Sequence, residues 1–110
     1  MATRSDLLHG TLDLLVLKTL SHGARHGYGI ARFLEDTTGE ALAIEEGSLY
    51  PALYRLEGKG FIEAEWRESD LGRKAKFYRL TPGGRRQLKT ETAAWTQFQA
   101  AVSRVLLAGA

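Results

Sequence analysis

The side chains with the clearest capacity for chemistry lie in one short stretch, residues 46–57. Ser48 and Tyr50 carry hydroxyl groups that donate and accept hydrogen bonds, and Arg55 carries a guanidinium that can bind a phosphate or a base edge. Pro51 lies between them. This set suits recognition of a nucleic-acid groove better than binding of a metal ion or attack on a carbonyl group.

A cluster of positive charge follows between residues 67 and 89. This segment has eight basic and two acidic residues, a local net charge of +6, whereas the whole chain carries +2. A basic patch on a nearly neutral domain is typical of a DNA-binding protein, although an ordinary solvated surface is the alternative. Arg73, Lys74 and Lys76 are predicted to contact phosphates. The acidic run from Glu35 to Glu46 is expected to face away from DNA.

Composition argues against several other functions. The chain has no cysteine, which excludes disulfides and thiolate metal sites. His26 could in principle be a ligand or a base, but it has no partner at metal-ligand spacing, and a turn or packing role is favoured. No catalytic cluster or phosphate-binding glycine loop is evident, so we expect no enzyme, no metal and no cofactor. Without a signal peptide or an apolar run of about 18–20 residues, a cytoplasmic location is expected.

The elements that must position these side chains follow from apolar periodicity. It predicts three helices: residues 11–20, residues 26–39 including their glycine-containing ends, and residues 47–57. In the third helix, Leu49, Leu53 and Leu56 form the buried stripe. Ser48 is expected to be its N-cap and Pro51 to lie in its first turn. Tyr54 on this helix is expected to be structural.

A β-hairpin is predicted after the third helix. Residues 61–67 and 76–80 alternate apolar and polar side chains, and the eight residues between them are rich in turn formers and bases. In the first strand Ile62, Ala64 and Trp66 are expected to share a half-buried face. The hairpin is therefore expected to project a basic tip.

A final helix of about 25 residues is predicted to begin at Thr81 and Pro82. Its apolar residues repeat with heptad spacing, interrupted by Glu91. A helix this long cannot be buried by so small a domain, so we expect part of its apolar stripe to meet a second copy of the chain. Four residues of the stripe are candidates for a dimer or effector contact: Trp95, Phe98, Val102 and Val105.

This order of elements is the winged helix-turn-helix plan. The expected fold is mainly α with a small β-hairpin, comprising a winged helix-turn-helix DNA-binding domain (residues 1–81) and a long C-terminal dimerisation helix (residues 82–110). In this plan the third helix enters the major groove of double-stranded DNA, and the hairpin, or wing, reaches neighbouring phosphates.

The sequence resembles the PadR family of bacterial transcriptional regulators from about Leu8 to Leu88, and more closely the short branch with a single C-terminal helix. The likeness is carried by these motifs: His26-Gly27-Tyr28-Gly29-Ile30, Gly47-Ser48-Leu49-Tyr50-Pro51-Ala52-Leu53-Tyr54-Arg55-Leu56-Glu57, Gly60-Phe61-Ile62, and Arg73-Lys74-Ala75-Lys76-Phe77-Tyr78-Arg79-Leu80-Thr81 with Gly84. The resemblance implies a dimeric repressor of a palindromic operator, often released by a small aromatic or hydrophobic effector. One departure is the wing, where Leu71-Gly72-Arg73-Lys74 stands in place of a Gly-Pro pair before the bases.

Several roles have structural alternatives. Ser48 could cap its helix without contacting DNA, and Tyr50 could pack on the wing. Arg55 could pair with a carboxylate such as Glu35. Tyr28 could bind a phosphate or pack against the third helix. For the whole chain, the alternative to a DNA-binding regulator is a winged-helix module that binds another protein.

Trp95 also has more than one possible role. It could lie in a dimer seam without a ligand, or it could stack on a flat effector held between two subunits.

Overall fold

The computed structural model describes residues 11–68 and 70–109. Its elements, in chain order, are α1 (Leu12–Leu20), β1 (Arg25–His26), α2 (Gly27–Thr37), α3 (Glu46–Gly58), β2 (Ile62–Glu68), β3 (Lys74–Leu80) and α4 (Pro82–Leu107). The expected fold class is confirmed: a mainly helical chain with a small antiparallel sheet and a long C-terminal helix. The expectations for residues 1–10 and for Ser69 lie outside the described residues.

The core forms where α1, α2 and α3 meet the inner face of the sheet. The predicted stripe of α3 is buried, with Leu49 2%, Leu53 1% and Leu56 2% exposed. Val16 of α1 and Ile30 of α2 pack into the same cluster and are 0% exposed. Burial of these side chains supplies the main driving force for folding this part of the chain.

The sheet has three strands rather than the predicted two, in the order β1-β3-β2 with antiparallel pairing. β1 is only two residues long and pairs with Tyr78 and Phe77 of β3. A strand this short has no periodicity of its own, so only the distant partner reveals it. Its second residue, His26, also caps α2, because its Nδ1 atom accepts a hydrogen bond from the Gly29 amide at 2.8 Å. The expected turn role of His26 is therefore confirmed.

The hairpin is longer and its tip shorter than predicted. β3 begins at Lys74 rather than at Lys76, and β2 continues to Glu68, which lies opposite Lys74. The described part of the connecting loop therefore ends at Arg73, and Gly72 takes a left-handed conformation in it with φ +73°. Lys74 belongs to a strand and not to the tip.

The start of α3 corrects two predictions. The helix begins at Glu46 with Glu45 as its N-cap, and no side chain caps it. Ser48 is therefore a residue of the first turn and not the cap, and Pro51 lies in the second turn rather than the first. Because proline has no N–H, the Gly47 carbonyl loses its usual partner four residues later.

The long helix α4 begins as predicted and is anchored at the base of the hairpin. Thr81 is the N-cap, and its hydroxyl accepts a hydrogen bond from the Gly84 amide at 3.0 Å and donates one to the Gly60 carbonyl at 2.7 Å. A Cβ atom on Gly84 would lie 1.9 Å from the Phe61 carbonyl oxygen. Gly84 thus allows two backbones to approach closely, a requirement that periodicity does not disclose.

Candidate nucleic-acid interface

The outward face of α3 lies opposite its leucine stripe. With 3.6 residues per turn, Gly47, Pro51 and Tyr54 occupy the centre of this face. Tyr54 is 80% exposed, so the expectation of a structural role is wrong. Its phenol instead projects from the middle of the surface that would meet a groove. The spacing of Tyr54 from the three buried leucines was the signal that could have indicated this.

The four predicted recognition residues do not form one cluster on α3. Ser48, Pro51 and Arg55 line a shallow cleft together with Gly47 and with Leu12 of α1. Tyr50 lies on the opposite flank, which faces α2. The structure therefore brings three of these four residues together and separates the fourth.

Arg55 forms an ion pair with Asp13 of α1. The distance from Arg55 Nη2 to Asp13 Oδ1 is 2.9 Å, and half of the Arg55 side chain stays exposed. The carboxylate partner is thus Asp13 and not Glu35. The pair ties the outer flank of α3 to the first helix, while leaving donors of the guanidinium accessible for a phosphate.

Tyr50 packs against the start of α2 rather than on the wing. A Cβ atom on Gly27 would lie 2.8 Å from the Tyr50 hydroxyl oxygen and 3.0 Å from a carbon of its ring. The absence of a side chain at Gly27 therefore lets the phenol lie directly on the first turn of α2. Tyr50 remains 45% exposed, so one side of the ring is accessible.

Tyr28 lies in the same cleft as Tyr50 and is 67% exposed, which is more open than packing against α3 would leave it. Arg32, Glu35 and Glu46 also line this cleft. Part of the acidic run therefore lies beside the outward surface of the helix-turn-helix and does not face away from it. Arg32 forms a 3.7 Å ion pair with Asp36, one turn further along α2.

The basic residues of the wing differ in their surroundings. Arg73 and Lys74 are exposed near the tip. Lys76 is only partly exposed, because its Nζ atom lies 3.7 Å from Glu57 Oε1 and 5.5 Å from the centre of the Tyr78 ring. The structure thus holds Lys76 against the C-terminal turn of α3, away from the tip.

Two other cations of the hairpin have acidic partners, one on the same strand and one on the neighbouring strand. Arg67 pairs with Glu65 and lies 5.2 Å from the centre of the Phe77 ring, and Arg79 pairs with Glu63 at 2.8 Å. The formal charge of the basic segment therefore overstates the positive surface of the wing. Exposed ion pairs of this kind contribute little to stability.

Two aromatic residues of the hairpin lie in contrasting environments. Tyr78 is only 6% exposed, and burial raises the pKa of its phenol above the usual value of 10.0, with an opposing contribution from Lys76. Trp66 was expected to be half-buried beside Ile62, but it is 67% exposed. Ile62 and Ala64 cover the core along this face, whereas Trp66 extends beyond it.

The four predicted seam residues of α4 lie on its surface. Trp95 is 44% exposed, Phe98 64%, Val102 39% and Val105 76%. The Trp95 and Phe98 rings lie 6.5 Å apart between centroids. Both rings line an open cleft with Asp13 of α1 and with Glu91, whose Oε2 atom is buried without a hydrogen-bond partner.

Among the described residues, no group of three or more His, Cys, Asp or Glu side chains could hold a metal ion. None of the described helices is long and apolar enough to cross a membrane.

Comparison with known proteins identifies relatives along most of the chain. The model of the transcriptional regulator PadR-like family matches residues 16–90. An uncharacterised protein of Lysinibacillus sphaericus is 34% identical over 94 residues, covering 86% of each chain. A transcriptional regulator of Mycobacterium tuberculosis is 35% identical over 100 residues, covering 84% of this chain and 75% of that protein.

Solved structures share the architecture. A PadR family transcriptional regulator from Eggerthella lenta superposes with a TM-score of 0.82 at 32% identity, covering 96% of this chain and 89% of that one. A transcriptional regulator from Clostridium thermocellum gives a TM-score of 0.83 at 29% identity, covering 90% of this chain and 96% of that one. The similarity therefore extends to the long C-terminal helix as well as to the helix-turn-helix.

Proposed function

Because this chain belongs to the PadR-like family of transcriptional regulators, we propose that it binds a palindromic operator as a dimer and represses transcription. Membership confirms the resemblance found in the sequence, and the family consists of DNA-binding regulators rather than enzymes. We assign residues 1–81 to DNA binding and residues 82–110 to dimerisation. Residues 1–10, 69 and 110 of these two parts lie outside the described chain.

The observation that carries the proposal is the outward face of α3 beside the wing. Its exposed phenols and the partly exposed Ser48 side chain suit hydrogen bonding to base edges and apolar contact with thymine methyl groups. Ser48, Tyr50 and Pro51 would enter the major groove with Tyr54 at the centre of the face. Arg55 would bind a phosphate while keeping its contact with Asp13.

Contacts to the phosphate backbone would come from the two sides of α3. On the wing, Arg73 and Lys74 reach furthest, and Lys76 would contribute less because Glu57 already pairs with it. On the other side, the exposed phenol of Tyr28 would bind the strand that passes the start of α2. Such contacts fix the register of the protein on DNA without reading sequence.

The dimer would form through α4. Its exposed seam presents four large apolar side chains on one helical face, and a second copy of the helix is the simplest group that would cover them. In such a dimer the two α3 helices would need to lie about 34 Å apart to enter successive major grooves.

An effector site is proposed at Trp95. The half-exposed indole, the nearby Phe98 ring and the open cleft beside them offer a surface on which a small aromatic molecule could stack. Binding there would release the operator if the bound ligand altered the separation of the two α3 helices.

Operator binding is tested by selecting duplexes from a random DNA pool with the wild-type protein and titrating the selected duplex in gel-shift experiments at several salt concentrations. We expect a palindromic consensus and an affinity that falls steeply with salt. The double variant R73E/K74E should lose binding at moderate salt, while R85E/R86E at the base of α4 serves as a matched control. Binding of all duplexes with equal affinity by the wild type would contradict the proposed repressor function.

The protein-interaction alternative predicts a different result in the same experiment. A winged-helix module that only binds another protein would select no consensus, and reversal of charge on the wing would leave its residual DNA binding unchanged.

A further inference from the structure

Trp66 is an exposed aromatic residue of the hairpin that the packing of the core does not explain. Its indole is 67% exposed, although tryptophan side chains are highly buried on average. It lies on the same face of β2 as Ile62 and Ala64, because side chains two residues apart in a strand point to one side. Ile62 on this face is 1% exposed. The face therefore covers the core at the base of the hairpin and extends beyond the core at Trp66.

The neighbours of Trp66 show which way this face points. Trp66 lies directly opposite Lys76 in the β2–β3 register, so their side chains share a face. Lys76 in turn contacts Glu57 in the last turn of α3. Trp66 therefore lies on the side of the wing that is turned toward the C-terminal turn of α3, in the space between the recognition helix and the wing.

The charges close to Trp66 are mixed, and one of them is an exposed lysine. Lys74 is the diagonal neighbour of Trp66 and is exposed, and Lys76 is adjacent. Glu68 lies on the same face opposite Lys74, and Glu57 of α3 is paired with Lys76. An indole beside two lysines offers an apolar plane, a single N–H donor and positive charge in one place.

We propose that Trp66 is a DNA-contacting residue, whose indole covers a deoxyribose of the strand that runs between α3 and the wing and whose N–H donates to a phosphate of that strand. Sugar and phosphate contacts of this kind position a protein on duplex DNA. The inference rests on the proposed operator binding and adds to it an uncharged contact that the basic residues of the wing do not provide.

Two measurements test the proposal on the full chain, with the selected duplex as the probe. The Trp66→Ala variant should bind that duplex about tenfold more weakly, the order expected when a large aromatic side chain no longer becomes buried. The slope of log affinity against log salt should stay unchanged, because tryptophan carries no charge. Lys74→Ala is the contrasting variant, in which the slope should decrease by about one. Trp66→Phe should recover part of the lost affinity.

The second measurement reports on the side chain itself. The chain has two tryptophans, so wild-type protein labelled with 5-fluorotryptophan should give two fluorine resonances, of which Trp66→Phe removes one and thereby assigns it. Addition of the duplex should shift the Trp66 resonance and protect it from a soluble paramagnetic quencher. Thermal melting of Trp66→Ala should match the wild type, since an exposed side chain contributes little to stability.

Wild-type affinity in the Trp66→Ala variant, or an unshifted Trp66 resonance at saturating duplex, would overturn the proposal while leaving operator binding intact. A Trp66 resonance that shifts with protein concentration in the absence of DNA would also overturn it, because a second copy of the chain would then cover the indole. Failure of the wild type to select any sequence would instead disprove the proposed function, and this inference with it.

Discussion

Helix α4 differs from the core of α1–α3 in how deeply its apolar side chains are buried. The core leucines are almost completely buried within one chain, whereas Gly84 is the one buried residue among the described positions of α4. Phe98 and Val105 of α4 are each more than half exposed. The same apolar periodicity thus produces a finished interior in one region and an uncovered surface in the other. Periodicity shows which face is apolar, but not which molecule covers it.

The sharpest test of this difference compares the same substitution in the two regions. Leu53→Ala should lower the free energy of unfolding by about 3 kcal/mol, because a cavity replaces a side chain that is 1% exposed. Leu106→Ala in α4, where the side chain is 76% exposed and lies off the seam, should change it by less than about 0.5 kcal/mol. Denaturant unfolding followed by circular dichroism measures both. Equal losses would show that α4 is buried as deeply as the core.

The junction between the two regions is tested by two neighbouring glycines. Gly84→Ala should destabilise the protein by about 2 kcal/mol, because the added methyl group would collide with the Phe61 carbonyl oxygen and with Leu80. Gly83→Ala is the matched control, since its nearest atoms would lie at 3.7 Å and alanine favours the helix by about 1 kcal/mol. Thermal unfolding should therefore rank Gly83→Ala at or above the wild type. Similar melting temperatures of the two variants would show that the close contact at Gly84 does not constrain the junction.

The uncovered face of α4 is tested by adding a charge to it. Phe98→Glu should weaken the proposed dimer at least about tenfold, since a carboxylate would have to be desolvated in the seam. Gln97→Glu adds the same charge at an exposed neighbouring position off the seam and should leave the dimer intact. Sedimentation velocity over a concentration series gives both dissociation constants. An unaltered dimer in Phe98→Glu would place the subunit contact elsewhere.

The smallest expected effect is a pH dependence of stability, which arises from Tyr78 on the sheet side of the core. Burial raises the pKa of Tyr78 above 10.0 in the folded state, so the unfolded chain releases this proton first as the pH rises. The contribution of Tyr78 to stability is therefore fully present below about pH 10 and is lost as the pH rises through the folded-state pKa. Denaturant midpoints between about pH 8 and about pH 11 should show this fall. Tyr78→Phe should reduce it, whereas Tyr54→Phe, with an exposed ring, should not.

Much of the fold could be predicted from local patterns in the sequence. The leucines of α3 and the Thr81-Pro82 start of α4 follow from spacing and capping preferences alone, and both are confirmed. The prediction for Ser48 and Pro51 was wrong because proline in the first turn is the common arrangement, and here the helix begins earlier. Local preference describes what is usual, and this helix departs from it.

The site was less predictable because its contacts join distant parts of the chain. Arg55 pairs with Asp13, which lies 42 residues earlier, and no local pattern selects Asp13 over Glu35. β1 exists only through its pairing with β3. The exposure of Trp66 likewise depends on where the core ends. The roles of these residues on DNA remain predictions.

The close contact at Gly84 has a mechanical consequence for the proposed dimer. The 26 residues of α4 span about 39 Å, so a tilt of about 10° at the anchored end would move the far end by about 7 Å. In the proposed dimer, a small rotation of α4 about its contact with the Phe61 carbonyl would therefore become a large displacement at the other end of the helix. This contact lies at the base of the wing. A ligand that rotates one α4 against its mate would therefore also move the DNA-binding part of each chain and shift the two α3 helices out of step with successive turns of DNA.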